Sequence, residues 1–369
     1  MKILITGAKG FIGQHVVLAL KALEHTDLVC FDADSPIQML QDAVQDCDFV
    51  FHLAGVNRPE KSEEFVEGNV GFTRELLDDL KKAGNACSII FSSSIQAERD
   101  NSYGQSKREA EELLFEHAKA MDSKVLVYRL PNVFGKWVRP NYNSAIATFC
   151  YNLTHGLPIT VHDPSVMMRL VYIDDILEEW LQALQGKATM EERYAVVPVS
   201  YQLLLGVIVE KLESFKEERL KLQVPDLGDA FIAKLYATWL SYLPENSFSY
   251  PLNMHQDPRG SFTEILRTPD RGQISVNVSK PGITKGNHWH HTKTEKFLVV
   301  SGTGVIRFRK IGCDQVYTYI VSGDRLEVVD IPPGYTHNIE NTGVVDVVTL
   351  MWASECYNPD KPDTFFEEV

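Results

Sequence analysis

The stretch ILITGAKGFIG, residues 3–13, joins a short apolar run to an amphipathic segment through three glycines. Gly7, Gly10 and Gly13 fall at the turn, where a side chain would keep the pyrophosphate of a dinucleotide away from the free amides of the helix that follows. A tight turn without a ligand is the alternative. The place of the glycines between a strand and a helix favours dinucleotide binding, and it predicts the first βαβ unit of a doubly wound sheet.

The same alternation continues through the first two thirds of the chain. The expected buried parallel strands are LVCF (28–31), DFVFHLA (48–54), SIIFSSS (88–94) and KVLVYRL (124–130). After about residue 244 the helical periodicity ends, and many short strand-like runs follow between glycines and prolines. We therefore predict an α/β fold in which residues 1–243 form a Rossmann-type parallel sheet and residues 244–369 form an all-β barrel.

Composition bounds the class of protein. The 369 residues are 44% apolar and 23% charged, which is typical of a globular chain with two domains. The formal charge of −14 argues against nucleic acid or an anionic membrane as a partner, and no apolar run is long enough to span a bilayer. The six cysteines lack C-x-x-C spacing and no signal peptide is evident, so we expect reduced thiols and a cytoplasmic protein.

A tyrosine and a lysine suited to proton transfer follow the fourth strand. In SSSIQAERDNSYGQSK, residues 92–107, Tyr103 and Lys107 are four apart and share one face of a helix. A neighbouring ammonium group favours the phenolate and makes a tyrosine, whose pKa is ordinarily about 10, a usable acid or base. The spacing alone is common, so its position after a strand that ends in serines carries the argument. Ser94 would hold the reacting oxygen.

Two residues near the end of the second strand give opposite indications about the cofactor. Asp32 suits a hydrogen bond to the adenosine ribose of NAD. Lys9, inside the glycine turn, suits the additional ribose phosphate of NADP. We favour NADPH over NADH because the function inferred below needs a reductive step.

These motifs resemble the extended short-chain dehydrogenase/reductase family, which acts on nucleotide-diphosphate sugars. The resemblance covers residues 1–243 and includes HLAG (52–55), EGNVGFTRELL (67–77), RLPNVFG (129–135) and RLVYIDD (169–175). It implies a catalytic Ser94, Tyr103 and Lys107. The cofactor residues that it implies are Gly7, Lys9, Gly10, Phe11, Ile12, Gly13, Asp32, Leu53, Ala54, Gly55, Asn69, Tyr103 and Lys107.

The resemblance also assigns the substrate side of the first site. It implies that Asn132 lies beside the reacting groups and that Arg169 meets the sugar-nucleotide diphosphate. A surface ion pair between Arg169 and Asp174 or Asp175 is the alternative. The family's sugar 4,6-dehydratases carry an Asp-Glu pair where this chain has SSSIQ, so carbonyl reduction is favoured over dehydration.

Histidines cluster in the C-terminal third. GITKGNHWHHTKTEKFLVVSG (282–302) and PPGYTHNIEN (332–341) resemble the two motifs of the cupin superfamily, a small β-barrel, although Leu326 stands where the second motif has a glycine. The resemblance implies a metal held by His288, His290, Glu295 and His337. Two of these, His288 and His290, would face the same way on a strand, as metal ligation needs. Three imidazoles and a carboxylate suit several divalent metals, of which we favour zinc. His291 is the alternative ligand if the strand register shifts by one.

A second resemblance competes with the first. HQDPRGSFTEIL (255–266) and KGNH (285–288) are similar to segments of the dTDP-4-keto-sugar 3,5-epimerases, which are metal-free cupins. That resemblance implies that His288 is a base and that Arg259 and Lys285 contact substrate. We favour His288 as a ligand, because the 3,5-epimerases lack the other three ligands. A purely structural metal is a further alternative.

The order of the two regions resembles that of bifunctional capsule-synthesis enzymes. It implies C-3 epimerisation of a UDP-linked 4-keto-6-deoxy amino sugar by the barrel, then NADPH reduction at C-4, in a homodimer that makes an N-acetyl-L-fucosamine precursor. The main alternative is a reductase whose barrel serves only in dimerisation. A metal-dependent oxygenase or isomerase and a redox-sensing binding module are two others, and the presence of both Tyr103 and Lys107 argues against the sensor.

Overall fold

A computed structural model of the chain describes residues 1–59, 61, 63–268, 270–360 and 362–369. The chain divides into two compact units. The first comprises Met1–Glu213 and Ala230–Pro244, and the second comprises Ser214–Asp229 and Glu245–Val369. The contact pattern thus groups residues 214–229 with the second unit, which the sequence did not suggest. The functional boundary between residues 243 and 244 stays a prediction.

The first unit has the alternating pattern of strands and helices that the sequence predicts. Its described strands are β1 (Ile3–Thr6), β2 (Leu28–Phe31), β3 (Phe49–His52), β4 (Ser88–Ser94), β5 (Val125–Leu130), β6 (Asn132–Phe134), β7 (Met167–Tyr172), β8 (Met190–Glu191), β9 (Tyr194–Ala195) and β10 (Tyr201–Leu204). The described α-helices of the whole chain are α1 (Phe11–Ala22), α2 (Ile37–Ala43), α3 (Glu63–Phe65), α4 (Phe72–Ala83), α5 (Ser102–Met121), α6 (Ala145–Thr154), α7 (Ile173–Leu184), α8 (Leu205–Leu220) and α9 (Ala230–Leu240). A π-helical segment, Val66–Gly71, joins α3 to α4, and short 3₁₀ turns lie at Ile95–Glu98 and Glu245–Ser247.

Among the described residues, the main sheet of the first unit has the order β2-β1-β3-β4-β5-β9-β8 and is parallel apart from the β8–β9 pair. Alternate residues of β1 face opposite sides: Ile3 and Ile5 pack in one core cluster, and Leu4 packs in the other. The carboxyl ends of β1, β3 and β4 share one edge, so the segments that follow them meet there. A smaller sheet, β10-β7-β6, accompanies the main one.

The second unit is built from antiparallel strands. These are β11 (Met254–Asp257), β12 (Gly260–Thr268), β13 (Gly272–Ser279), β14 (Thr284–Trp289), β15 (Glu295–Ser301), β16 (Thr303–Lys310), β17 (Val316–Ser322), β18 (Val328–Ile331), β19 (Tyr335–Asn341), β20 (Val347–Ala353) and β21 (Phe365–Phe366). They form two sheets, β11-β12-β13-β20-β15-β18 and β17-β16-β19-β14-β21.

The core of the second unit is formed by inward-facing residues of both sheets, among them Phe297 of β15 and Ile306 of β16. Gly282, Gly302 and Gly334 adopt φ values of 75°, 81° and 76°, which disfavour any residue with a Cβ and explain the glycines of the two histidine motifs. The predicted fold class, a Rossmann-type sheet followed by an all-β cupin-like unit, is confirmed. No helix among the described residues is both long and apolar enough to cross a membrane.

Candidate functional site

The glycine turn after β1 packs so closely against neighbouring backbone that no side chain fits at Gly7 or Gly13. Gly7 has a φ of 73°, and a Cβ on Gly7 would lie 2.7 Å from the amide nitrogen of Ala54. A Cβ on Gly13 would lie 2.1 Å from the carbonyl oxygen of Gly7. Gly10 caps α1 without a side-chain hydrogen bond, so no side chain competes for the first-turn amides. The turn therefore fits the pyrophosphate of a dinucleotide.

The two residues that gave opposite indications about the cofactor lie next to each other. The amide of Lys9 donates a hydrogen bond of 2.9 Å to Oδ1 of Asp32, directly after β2. The ammonium group of Lys9 donates to Oδ1 of Asp34 at 2.8 Å, a contact that the sequence analysis did not consider. Because Lys9 and Asp34 are both exposed, this ion pair is weak and can exchange Asp34 for another anion.

Tyr103 and Lys107 lie on one face of α5, as their spacing predicts, beside the end of β4. Nζ of Lys107 donates to the carbonyl oxygen of Ser92 at 3.0 Å and lies 4.9 Å from the ring centroid of Phe91. A Cβ on Gly55 would lie 3.2 Å from the same Nζ, so the glycine after β3 leaves room for the lysine. The structure thus brings these residues together at the carboxyl edge of the sheet.

The electrostatics of this site follow from burial. Burial raises the pKa of Tyr103 above its ordinary value, and the hydroxyl of Ser94 opposes that shift. Burial lowers the pKa of Lys107 to about 8, with Glu111 acting in the opposite direction. Near neutral pH the phenol therefore holds its proton and the amine is mostly charged, which is the arrangement of a proton donor.

Asn69 supports the site from the π-helical segment. Its Oδ1 accepts a hydrogen bond of 2.8 Å from the amide of Val56, and its Nδ2 donates to the carbonyl of Val56 at 3.1 Å and to Oγ of Ser106 at 3.0 Å. Oγ of Ser106 in turn donates to the carbonyl of Tyr103 at 2.9 Å. Since the amide of Asn69 is buried and already bonded, it ties the loop after β3 to α5. Its assignment to the cofactor stays a prediction.

A buried carboxylate that the sequence analysis overlooked lies one turn beyond Lys107. Glu111 is fully buried and accepts hydrogen bonds from Nε of Arg129 at 2.9 Å, from the hydroxyl of Tyr194 at 3.2 Å and from Oγ of Ser93. It therefore links α5 to β4 and β5. An acidic residue on the apolar face of a predicted amphipathic helix is the signal that could have identified it.

Asn132 and Arg169 are neighbours at the smaller sheet. Nδ2 of Asn132 donates to the carbonyl oxygen of Arg169 at 3.1 Å, and both residues are exposed. Asp174 and Asp175, the carboxylates of the alternative ion pair, are bound by Lys136 at 2.9 Å and by Lys234 at 2.7 Å. An exposed guanidinium suits an anionic ligand, and the substrate role of Arg169 stays a prediction.

In the second unit, the four predicted metal ligands converge. His288 lies on β14, His290 follows it, Glu295 begins β15 and His337 lies on β19, where it pairs directly with His288. One potential ligand atom from each lies within 4.8 Å of every other. His291, the alternative ligand, lies outside this cluster, with its ring 4.5 Å from that of Trp289.

The cluster leaves buried polar atoms without hydrogen-bond partners. Nε2 of His290, Nε2 of His337 and Oε2 of Glu295 are such atoms, although Oε2 lies 3.4 Å and 3.3 Å from the two nitrogens. Unbonded buried polar atoms are costly, and a divalent cation would satisfy all three at once. The donor set therefore fits a metal ion.

The shifted pKa values of His288 and Glu295 suit metal ligation. Burial lowers the pKa of His288 to about 4, and repulsion from His337 adds to the shift. Burial acts to raise the pKa of Glu295, but the imidazoles of His290 and His337 outweigh it and hold that pKa well below its ordinary value. A neutral imidazole at His288 and an ionised carboxylate at Glu295 are the forms that bind metal.

A cavity of about 920 Å³ opens onto the cluster within the second unit. His288, Glu295 and His337 line it together with the predicted substrate residues Arg259 and Lys285. Arg259 pairs with Asp257 at 2.6 Å at an exposed turn. Nζ of Lys285 is already bonded within the chain, to Oδ1 of Asn277 at 2.8 Å and to the carbonyl of Val278 at 2.9 Å. The cavity is large enough for a sugar nucleotide.

Comparisons with known proteins agree with this description. Residues 255–365 match the polysaccharide biosynthesis C-terminal domain, and residues 3–197 match the NAD dependent epimerase/dehydratase family. The chain is 44% identical to the UDP-2-acetamido-2,6-beta-L-arabino-hexul-4-ose reductase of Pseudomonas aeruginosa, over 99% of this chain and 98% of that one.

Solved structures extend the likeness. The capsular polysaccharide assembling protein CapF of Staphylococcus aureus is 52% identical with a TM-score of 0.94, and the match covers 100% of both chains. CapF with the inhibitor 3-isopropenyl-tropolone has a TM-score of 0.90 at 47% identity, again over 100% of both chains. A UDP-glucuronic acid 4-epimerase of Bacillus cereus shares the fold alone, with a TM-score of 0.51 at 22% identity over 59% of this chain and 83% of that one. By its sequence match and by its nearly full-length relative, the chain belongs to the NAD dependent epimerase/dehydratase family.

Proposed function

We propose that the chain is a bifunctional sugar-nucleotide enzyme. Its second unit epimerises C-3 of a UDP-linked 4-keto-6-deoxy amino sugar, and its first unit reduces the C-4 ketone with NADPH, in the synthesis of a capsular N-acetyl-L-fucosamine precursor. The P. aeruginosa relative is by name a reductase of a UDP-linked hexulose, and the S. aureus relative is by name a capsular polysaccharide assembling protein. The observation that carries the second activity is the histidine cluster that opens onto a cavity of about 920 Å³.

Reduction needs one group that donates a proton and another that holds the ketone oxygen in place. The glycine turn would hold the pyrophosphate of a reduced dinucleotide, whose nicotinamide ring would supply the hydride for C-4. The phenol of Tyr103 donates the proton to the ketone oxygen, since burial keeps the phenol protonated. The nearby ammonium group of Lys107 stabilises the phenolate that remains, and the hydroxyl of Ser94 fixes the oxygen.

Epimerisation uses the acidity of the hydrogen next to a ketone. A divalent metal, for which zinc is our choice, would be held by His288, His290, Glu295 and His337 and would supply positive charge near the ketone oxygen. A base among the side chains that line the cavity accepts the C-3 proton, and a proton that has exchanged with solvent is returned to the opposite face. A tropolone has adjacent oxygens that chelate metals, so the tropolone that inhibits the relative CapF supports this assignment.

The role of His288 distinguishes the two proposed versions of the second site. A neutral imidazole with a lowered pKa suits either a ligand or a base. We assign it to the metal because its ligand atom lies within 4.8 Å of the other three, and a tightly bound ligand cannot also accept a proton. Arg259 and Lys285 remain the proposed substrate contacts, and the homodimer and the cytoplasmic location remain predictions.

Deuterium uptake tests the second activity. The full chain is incubated in deuterated water with a UDP-4-keto-6-deoxy amino sugar and no NADPH, and we expect deuterium to enter at C-3. A His288→Asn, Glu295→Gln double variant should lose this uptake and still oxidise NADPH with the pre-epimerised ketone. His291→Asn, a neighbouring imidazole outside the cluster, is the matched control and should exchange normally. Uptake by the double variant would contradict a role for the cluster, and no uptake by the unaltered chain would favour a reductase with a purely structural barrel.

Substitution of Lys9 tests whether the chain prefers NADPH to NADH. If its ammonium leaves Asp34 for the ribose phosphate, Lys9→Ala should raise the KM for NADPH by about tenfold, the effect of losing one charge-assisted hydrogen bond, and leave the KM for NADH unchanged. An equal effect on both cofactors would contradict the preference for NADPH.

A further inference from the structure

A segment without any recognised motif, residues 362–369, lies along the strand that carries the first proposed ligand. We call this segment the strap. Within it, Phe366 pairs with His288 and Phe365 pairs with Trp289, so that β21 extends the sheet next to β14. The amide of Glu367 donates to the carbonyl oxygen of Asn287 at 3.0 Å. The strap therefore holds the backbone of β14 in place at His288.

The carboxylate of Asp363 holds the loop between two proposed ligands. Its Oδ1 accepts a hydrogen bond of 2.8 Å from the amide of His291. Its Oδ2 accepts from the amides of Thr292 and Lys293, at 2.8 Å and 3.0 Å, and from Oγ1 of Thr292 at 3.1 Å. Three successive amides thus point at one side chain, which sets the path of the chain from His290 to Glu295.

The main chain of Asp363 acts on a proposed ligand itself. Its carbonyl oxygen accepts a hydrogen bond from Nδ1 of the buried His290. A carbonyl accepts and cannot donate, so this bond requires the proton on Nδ1 and leaves the lone pair on Nε2. Nε2 is the atom that faces Glu295, at 3.4 Å from Oε2, and it has no hydrogen-bond partner. Metal-binding histidines are commonly oriented by such a bond from the second ring nitrogen.

The strap is anchored independently of the cluster. Arg309 forms an ion pair of 2.8 Å with Glu367, and Oγ1 of Thr336, next to His337, donates to the carbonyl oxygen of Glu367. The strap can therefore impose a geometry on the ligands rather than follow the one that they adopt.

We propose that Asp363 is a positioning residue for the metal centre: with its carboxylate it holds the 291–293 loop, and with its carbonyl it selects the metal-binding tautomer of His290. This inference rests on the proposed metal site. Asp363 contacts neither the cavity substrate nor the metal in this scheme, and it acts only through the ligands.

Zinc affinity of the full chain tests this inference. The protein is stripped with a chelator, and its zinc affinity is measured by competition with a chromogenic chelator for the unaltered chain, Asp363→Ala, Asp363→Asn and Asp360→Asn. Asp363→Ala keeps the main-chain carbonyl that orients His290 but removes the carboxylate that holds the 291–293 loop. We expect it to weaken zinc binding by about tenfold, the lower end of the range found when a group that supports the ligands is lost. Asp363→Asn should be intermediate, since its amide keeps one oxygen for the loop amides. Asp360→Asn removes an exposed carboxylate three residues away and should match the unaltered chain.

The thermal unfolding of the metal-free proteins separates positioning from general stability. A positioning role predicts that Asp363→Asn unfolds at nearly the same temperature as Asp360→Asn without metal but gains less stability when zinc is added. Zinc affinity of Asp363→Ala within about twofold of the control, or a loss of affinity matched by an equal loss of metal-free stability, would overturn the inference. Failure of the unaltered chain to bind zinc at all would instead overturn the metal centre, and the inference with it.

Discussion

The two candidate sites differ in how their polar groups are satisfied. In the first unit, Lys107 donates to a backbone carbonyl and Asn69 uses both ends of its amide within the chain. In the second unit, the buried Nε2 atoms of His290 and His337 have no hydrogen-bond partner. Since an unsatisfied buried polar atom costs about 1–3 kcal/mol, the second site is the less stable of the two without a ligand.

This difference indicates whether each site needs a bound ligand to keep its geometry. A site whose groups are already bonded can keep its geometry while cofactor and substrate enter and leave. A site with converging, unbonded ligand atoms gains stability from a resident cation, because His337 meets the ligands of the 288–295 stretch only in the folded chain. We therefore expect the first unit to hold an exchangeable cofactor and the second to depend on its metal.

The largest expected effect is confined to the first site. Tyr103→Phe removes the proposed proton donor and keeps the ring that packs 5.5 Å from Phe65, so the rate of ketone reduction should fall by about 10²- to 10⁴-fold. Stopped-flow or steady-state NADPH oxidation with a pre-epimerised ketone measures this. Deuterium uptake at C-3 should be unchanged, and its loss in this variant would contradict two separate sites.

Metal removal should affect only the second unit. At free metal about 1,000 times the dissociation constant, the bound ion adds about 4 kcal/mol to the stability of the unit that holds it. Calorimetry of the full chain should therefore show one unfolding transition that falls on chelation and recovers with zinc, while a second transition stays in place. Two transitions that move together, or neither moving, would argue against a metal confined to the barrel.

The buried carboxylate of the first unit gives the next effect. Glu111→Gln removes the buried carboxylate that pairs with Arg129 and leaves that guanidinium only the exposed Glu98, at 3.4 Å. We expect the free energy of unfolding of the first unit to fall by about 3 kcal/mol. Glu112→Gln is a matched control on the same helix, because Glu112 pairs with Arg193 where both side chains are 51% exposed. Urea unfolding, monitored through the loss of NADPH binding, should show that this control lowers the free energy of unfolding by less than about 1 kcal/mol. Equal losses in the two variants would contradict a structural role for the Glu111 network.

The smallest effect is a dependence on pH. With a pKa of about 8, Lys107 loses its charge as the pH rises, so kcat/KM for reduction should fall by about tenfold per pH unit above that value. Lys107→Arg should be slower but lack this decline, since arginine stays charged. The contribution of Lys107 to the free energy of unfolding changes with pH in the opposite direction. An unfolded lysine keeps its proton up to about pH 10.4, so between about 8 and that pH the unfolded state binds more protons and the stability contribution rises with pH. A flat rate profile up to pH 9.5 would contradict the burial effect on Lys107.

Local sequence patterns were enough to predict the features that depend on residues close together in the chain. The glycine turn, the Tyr103–Lys107 spacing and the two histidine motifs are each contained in short stretches, and the structure brings the members of each together. These features depend on steric fit and residue spacing within a few residues, so they can be predicted directly from the sequence.

Other parts depend on contacts between distant residues. Asp363 lies 73 residues from His290 and belongs to no motif, so nothing local indicates that its carbonyl binds that ring. Lys285, a proposed substrate contact, also donates hydrogen bonds to Asn277 and Val278 of β13, a strand of the other sheet, and no local pattern indicates these bonds. The π-helical segment that carries Asn69 also has no periodic signature that separates it from an ordinary helix.

The central hypothesis is that a C-3 proton exchange precedes a C-4 reduction on one chain. The most direct test is a single incubation of the full chain with the 4-keto substrate and unlabelled NADPH in deuterated water, with the reduced product analysed by NMR. We predict a product that carries solvent deuterium at C-3 and the protium of NADPH at C-4. A reduced product with protium at C-3 would contradict the hypothesis, because reduction would then need no epimerisation.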